Sequence, residues 1–140
     1  MRLLAAAAIL LAVPSLAFAA TIEPGRYTGR TKRGVSMRLR VTSDQHVDWR
    51  LSYRTRCNRG RRRPRIATIP VKLPKLRDDG TFRYRERGRA KNAVGRFRYR
   101  ERIRGRVTDT TAKGSYAGRI HYDDGRICKA RDVRWSARRR

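Results

Sequence analysis

R-F-R-Y-R-E-R-I-R-G-R-V, residues Arg96 to Val107, carries arginine at every second position. A β-strand sends alternate side chains to opposite faces, so Arg96, Arg98, Arg100, Arg102, Arg104 and Arg106 line one face. Phe97, Tyr99, Ile103 and Val107 share the other, with Glu101 and Gly105 between them. Such a strand needs a packed core on one side and water, or an acidic partner, on the other.

The same two-residue period recurs outward from this stretch, and no segment after the first twenty residues shows a helical period. Tyr27, Gly29 and Thr31 alternate in Gly25 to Thr31. Met37, Leu39 and Val41 point inward while Arg38 and Arg40 point out. Val47, Trp49, Leu51, Tyr53 and Thr55 alternate into Cys57. Ile66 to Leu73 is less regular, and Pro64, Pro70 and Pro74 mark it as an edge strand or extended loop. Thr81 to Arg87, Ser115 to Tyr122 and Lys129 to Ser136 complete the set. Asp78-Asp79-Gly80 and Asp123-Asp124-Gly125 supply turn chemistry, because glycine takes positive φ cheaply, and Asp44-Gln45 serves a similar turn. The fold class expected is all-β: a single antiparallel β-sandwich or barrel-like domain of seven to eight strands with one disulfide.

Two local features refine this. Phe82-Arg83-Tyr84-Arg85-Glu86-Arg87 recurs unchanged as Phe97 to Arg102, which reads as two neighbouring strands of one hairpin. Their arginine rows then face the same way, and Glu86 and Glu101 fall at inward positions. There they need arginine or hydrogen-bond partners, or a rim open to water. Near the end, Cys128 and Ala130 are even-numbered whereas Val133, Trp135 and Ala137 form the later apolar set. A bulge near Arg131-Asp132 reconciles the two phases.

Residues 1–19 read as a signal peptide: Arg2, an apolar run from Leu3 to Val13, Pro14, then the A-x-A shape of Ala17-Phe18-Ala19. That predicts a mature chain of about 120 residues, one β domain over 20–140, secreted or in the cell envelope. In such a compartment Cys57 and Cys128 are expected to form a disulfide, with two free thiols the alternative.

The chain is 140 residues long with 38 Lys+Arg against 11 Asp+Glu, a formal charge of +27. A charge this large on a small body repels itself unless an acidic partner gathers round it. Beyond the strand arginines, including Arg83, Arg85 and Arg87, the segment after Cys57 is crowded with Arg59, Arg61, Arg62, Arg63 and Arg65. Arg138 to Arg140 end the chain. Clustered guanidinium groups suit phosphate or carboxylate polymers, through charge and forked hydrogen bonding. The strand aromatics fall on the opposite face from the arginines and read as packing rather than base-stacking platforms.

The catalytic inventory is thin: two histidines and no G-x-S-x-G. A Glu86–Glu101 dyad of the glycosidase type is not expected, because surrounding arginines hold both carboxyls ionised and remove the raised-pKa acid that mechanism needs. Asp44, His46 and Asp48 alternate but read as a solvated junction, as do His121, Asp123 and Asp124 beside a turn. No P-loop or dinucleotide fingerprint is present, so neither cofactor, metal, small-molecule substrate nor enzymatic activity is expected.

The start G-R-Y-T-G-R-T, the central Cys57 after a Trp/Tyr strand, and the end C-K-A-R-D-V-R-W-S-A-R resemble a group of small, uncharacterised exported all-β domains of high-GC bacteria. Those domains typically show G-x-Y-x-G, one central Cys, and C-x-x-G-x-V-x-W-x-A. The resemblance implies a sandwich-like fold and a Cys57–Cys128 bridge, and no activity. Arg131 stands where that pattern has Gly, and the heavy arginine loading is a further departure.

The function expected is a non-enzymatic cationic β domain that binds anionic envelope polymers or other polyanions. The alternative is a structural or protein-interaction module of the envelope whose charge only solubilises it. Damage to competitor membranes fits less well, because the arginines alternate along strands rather than lining an amphipathic helix.

Overall fold

In the computed structural model the described residues are 21–32, 35–60 and 64–140. The leader read from residues 1–19 lies outside them, as do Arg61, Arg62 and Arg63. The strands are β1 (Gly25–Thr31), β2 (Ser36–Val41), β3 (Val47–Arg54), β4 (Arg56–Cys57), β5 (Arg65–Thr68), β6 (Thr81–Asn92), β7 (Gly95–Val107), β8 (Thr111–Tyr122) and β9 (Ile127–Arg139). No helix is present among the described residues.

All strands belong to one antiparallel sheet in the order β5-β3-β2-β1-β9-β8-β7-β6, with β4 paired to β9 off this path. Of the two architectures the alternation allowed, the single curled sheet is the barrel-like one: a half-barrel. The curl is visible in the interior, where aromatics from distant strands meet. Trp49 of β3 lies 5.9 Å from Phe82 and 5.0 Å from Tyr84 of β6, ring centre to ring centre. Tyr53 of β3 lies 4.4 Å from Tyr116 of β8. Every inward residue expected in β2 and β3, from Met37 to Tyr53, is buried in this core.

Gly105 and Gly114 oppose each other on β7 and β8, and Gly114 opposes Trp135 on β9. A Cβ on Gly105 would sit 2.7 Å from the Trp135 indole. The missing side chains are therefore what admits the tryptophan.

The phase change near the C-terminus is a bulge. Tyr116 opposes Val133 and Gly118 opposes Ala130, so Ala117 alone faces both Arg131 and Asp132. Asp132 takes a positive φ of 43° there. The bulge divides the other side of β9 between two partners: β1 pairs with its last residues, and β4 pairs with Lys129 and Cys128. Cys57 and Cys128 are directly opposed and form the disulfide, across 71 residues of sequence. Ile120, Tyr122, Phe97 and Ile66 pack around it as a second apolar cluster.

The curl brings the β5 side of the sheet to the inner face of β6 and β7, where side chains rather than backbone ladders join them. Thr68 Oγ1 of β5 donates to both oxygens of Glu101, at 2.9 and 2.8 Å. The Val71 amide donates to the Tyr84 hydroxyl at 3.0 Å, and that hydroxyl donates to Glu86. Tyr116 donates to Glu101 at 3.0 Å, and its oxygen lies 2.7 Å from the Tyr53 hydroxyl. With one proton per phenol, Tyr116 serves the carboxylate and Tyr53 serves Tyr116.

Other expectations shift in detail. Asp78-Asp79-Gly80 leads into β6 rather than closing a hairpin, whereas Asp123-Asp124-Gly125 does close β8 onto β9, with Gly125 at φ 80°. β6 runs to Asn92, five residues past Arg87, and pairs along its whole length with β7. The irregular stretch Ile66 to Leu73 gives only the short end of β5, which pairs with β3 alone.

Opening the disulfide, by reduction or by Cys57→Ser with Cys128→Ser, is expected to cost about 4 kcal/mol of unfolding free energy in a denaturant titration. A loss under about 1 kcal/mol would show that the β4–β9 junction holds without the bond. The Glu101 seam gives a second expectation. Burial, only partly offset by Thr68 and Tyr116, raises the Glu101 pKa above its ordinary value of 4.5, and the Glu86 charge raises it further. A carboxyl whose folded pKa is raised binds its proton more tightly folded than unfolded, so its contribution falls as pH rises past the unfolded value. Glu101→Gln keeps an acceptor for Thr68 and removes the titration. The difference in stability between variant and parent should therefore move in the variant's favour from acid to neutral pH. A difference constant over that range would remove Glu101 as the titrating group.

Candidate polyanion-binding face

The β6–β7 register opposes Arg83 to Arg104, Arg85 to Arg102, Arg87 to Arg100, Arg89 to Arg98 and Lys91 to Arg96. All of these side chains are exposed on the outer face. The cause is local and simple: their neighbours Phe82, Tyr84, Phe97, Tyr99 and Ile103 are drawn into the two apolar clusters, and alternation forces the arginines the other way. The aromatics are thus packing, and the outer surface of this hairpin carries no ring from either strand.

Register extends the array beyond the hairpin. Arg100 opposes Arg119 on β8, Arg119 opposes Lys129 on β9, and Lys129 opposes Arg56 on β4. Together with Arg87, these make an unbroken row of cations across five strands. Cross-strand neighbours sit about 5 Å apart at Cβ, and positions two apart along a strand sit about 6.7 Å apart. A groove of about 600 Å³ runs between the side chains, its cations including Arg85, Arg87, Arg100, Arg102, Arg119 and Lys129, with Glu86 and Glu101 also on its border. A second, of about 610 Å³, is lined by Arg87, Arg89, Arg98, Arg100, Arg119 and His121.

Little in the protein neutralises this face. Among the described residues, Arg106 reaches Asp79 at 3.9 Å, and Arg104 donates to Ser115 Oγ at 3.2 Å. The remaining ion pairs lie elsewhere, Arg40–Asp48, Arg126–Asp124 and Arg139–Glu23, as does the contact of His46 with Asp44. Asp132, exposed at the bulge, shares a small groove with Arg83, Arg85, Arg102 and Arg104 but pairs with none of them.

The expected site residues separate in space. Arg83 to Arg87 and Arg96 to Arg106 form one surface. Arg65 is exposed on β5, opposite Arg54, on the other edge of the strand order, which the curl brings back toward the inner face of β6 and β7. Arg59 follows β4, its guanidinium beside Gly125 in the β8–β9 turn. Arg139 ties the chain end to Glu23 and to the Pro24 carbonyl, and Arg140 donates to Thr28. Arg89, Lys91, Arg119, Lys129 and Arg56 belong to the array and were not singled out from sequence. Arg89 and Lys91 continue the period of Arg83 to Arg87 through Gly88, which was readable. Arg56 and Lys129 needed the register of β4 on β9.

Among the described residues no arginine holds the Glu86–Glu101 pair, contrary to the expectation from sequence. Glu86 and Glu101 are directly opposed, as the hairpin predicts, but the neighbouring arginines lie across the sheet, and neither glutamate has an ion pair among the described residues. Hydroxyls solvate them instead: Tyr84 and Tyr99 at Glu86, Thr68 and Tyr116 at Glu101. Both oxygens of Glu101 are engaged in closing the seam. Of the other pairs, Asp44 Oδ2 is 3.0 Å from His46 Nδ1 and Asp48 pairs with Arg40, so the three do not converge. The Thr42 hydroxyl chiefly holds the exposed Asp44 carboxyl below its ordinary range.

No family model, no curated protein and no solved structure matches the chain.

Proposed function

We propose that this protein is a non-enzymatic, exported β domain that binds anionic envelope polymers or other polyanions through the arginine face of β6, β7 and β8. The observation that carries this reading is the set of arginines paired with arginines in register, with almost no acid of the protein among them. Like charges directly opposed across strands are destabilising, so this arrangement costs the isolated fold stability. A polyanion laid over the face offsets that cost and releases its own counter-ions. A module whose charge only solubilises would gain as much from arginines scattered opposite neutral residues. With no ring on the outer face of the hairpin, recognition there is of charge and phosphate or carboxylate geometry, not of bases. The disulfide is compatible with an extracellular location.

On heparin or duplex DNA, log affinity should fall linearly with log salt concentration. Changing Arg85, Arg87, Arg100 and Arg102 together to Gln should reduce the magnitude of that slope by about 3 on a single-stranded oligonucleotide, which can follow both rows. The same variant should be more stable than the parent at low salt, by on the order of 1 kcal/mol, because two opposed like-charge pairs are gone. A slope left unchanged in a folded variant would remove this face from the function.

A further inference from the structure

Resting on the polyanion reading, we propose that His121 makes the arginine face an acid-strengthened grip: an anion bound in its groove draws a proton onto the imidazole, which then joins the array as a further cation. His121 sits at an outward position of β8, opposite Arg98 on β7 and Ile127 on β9. It lines the groove of about 610 Å³ with Arg87, Arg89, Arg98, Arg100 and Arg119.

Among the described residues, the charged groups that line the groove around the ring are all cations, element by element. On its own strand the neighbour is Arg119; from β7 come Arg98 and Arg100, from β6 Arg87 and Arg89, and from β9 Lys129. The acids that follow in sequence do not neutralise the ring. Among the described residues Asp123 forms no ion pair with His121, and Asp124 is taken by Arg126 at 3.1 Å. Burial and then the charges of Arg119, Arg98, Lys129 and Arg100 lower its pKa from the ordinary 6.5. The ring is therefore neutral at neutral pH when the groove holds no anion.

Phosphates or sulfates between those guanidinium groups reverse the local field. The cost of adding a proton falls, and the His121 pKa rises in the complex. Linkage fixes the sign. A group that binds its proton more tightly in the complex than in the free protein raises affinity as pH falls through the interval between its two pKa values. Each pH unit of that interval corresponds to about tenfold in affinity. One histidine among many permanent cations should thus add to a binding that already exists at alkaline pH.

The test is binding of an oligothymidylate, whose phosphodiesters keep their charge throughout, over the same series of salt concentrations at about pH 8 and about pH 5.5. The parent should bind about three- to tenfold more tightly at the lower pH. His121→Gln should bind with the parent's pH 8 affinity at both, and His121→Arg with the parent's acid affinity at both. In the parent, the His121 ring resonances should titrate below the ordinary value without ligand and above it with ligand. Salt-dependent binding with no pH dependence, or a pH dependence that survives His121→Gln, would overturn the histidine proposal and leave the polyanion reading standing. Absence of salt-dependent binding at either pH would overturn both.

Discussion

Alternate residues of an antiparallel strand cannot share a face, and in this chain that geometric rule carries an electrostatic consequence that governs everything else. Once Phe82, Tyr84, Phe97, Tyr99 and Ile103 commit to the interior, the arginines between them are committed to the outside and to each other. No rotamer choice undoes this, because a one-residue slip would exchange the two faces entirely. The apolar core and the cationic face are one decision made twice along the hairpin.

A fold that confronts itself with opposed like charges needs restraint from elsewhere, and three devices supply it. The interior is rich in aromatic contacts that join distant strands, such as Trp49 with Phe82 and Tyr53 with Tyr116. The disulfide ties β4 to β9 where the chain leaves the β3 ladder and β9 bulges. The third device is less expected. A chain with 38 basic residues leaves Glu86 and Glu101 without a cation partner among the described residues and satisfies them with hydroxyls. A guanidinium brought inside would bring its own desolvation cost, which is several kcal/mol per ion even after relaxation. Phenol and threonine donors are apolar enough to bury and polar enough to hold a carboxylate, so they close the seam without importing charge.

Much of this was legible in the residues because it depends on period alone. Alternation placed the inward set of β2, β3 and β7, and the duplicated hexapeptide announced the hairpin. The change of phase between Ala130 and Val133 located the bulge to the two residues where it occurs. What period cannot supply is partnership over distance. Alternation assigns a residue to a face but not to a second layer, so a single curled sheet and a two-sheet sandwich read alike. Thr68 meets Glu101 only because the sheet curls. β4 is two residues long, too short to carry a period, yet it sets both the disulfide and the last cation of the row. Proximity in sequence also misled: Arg59 and Arg65 flank one segment but lie on different parts of the sheet.

The form of the array bears on what it can hold. Its cations repeat about 6.7 Å apart along β6 and β7 and about 5 Å across them, and one row continues through β8, β9 and β4 rather than along a single track. A straight, stiff polyanion would engage one line of such a grid and leave the neighbouring rows uncompensated, so most of the repulsion would remain. A flexible chain that folds back on itself, or a surface crowded with anionic groups, meets several rows together. The residue that breaks the monotony is His121, the titratable member at a junction of permanent charges. Its state responds to how completely its neighbours are neutralised, so occupancy of the groove and acidity of the surroundings act on the same proton.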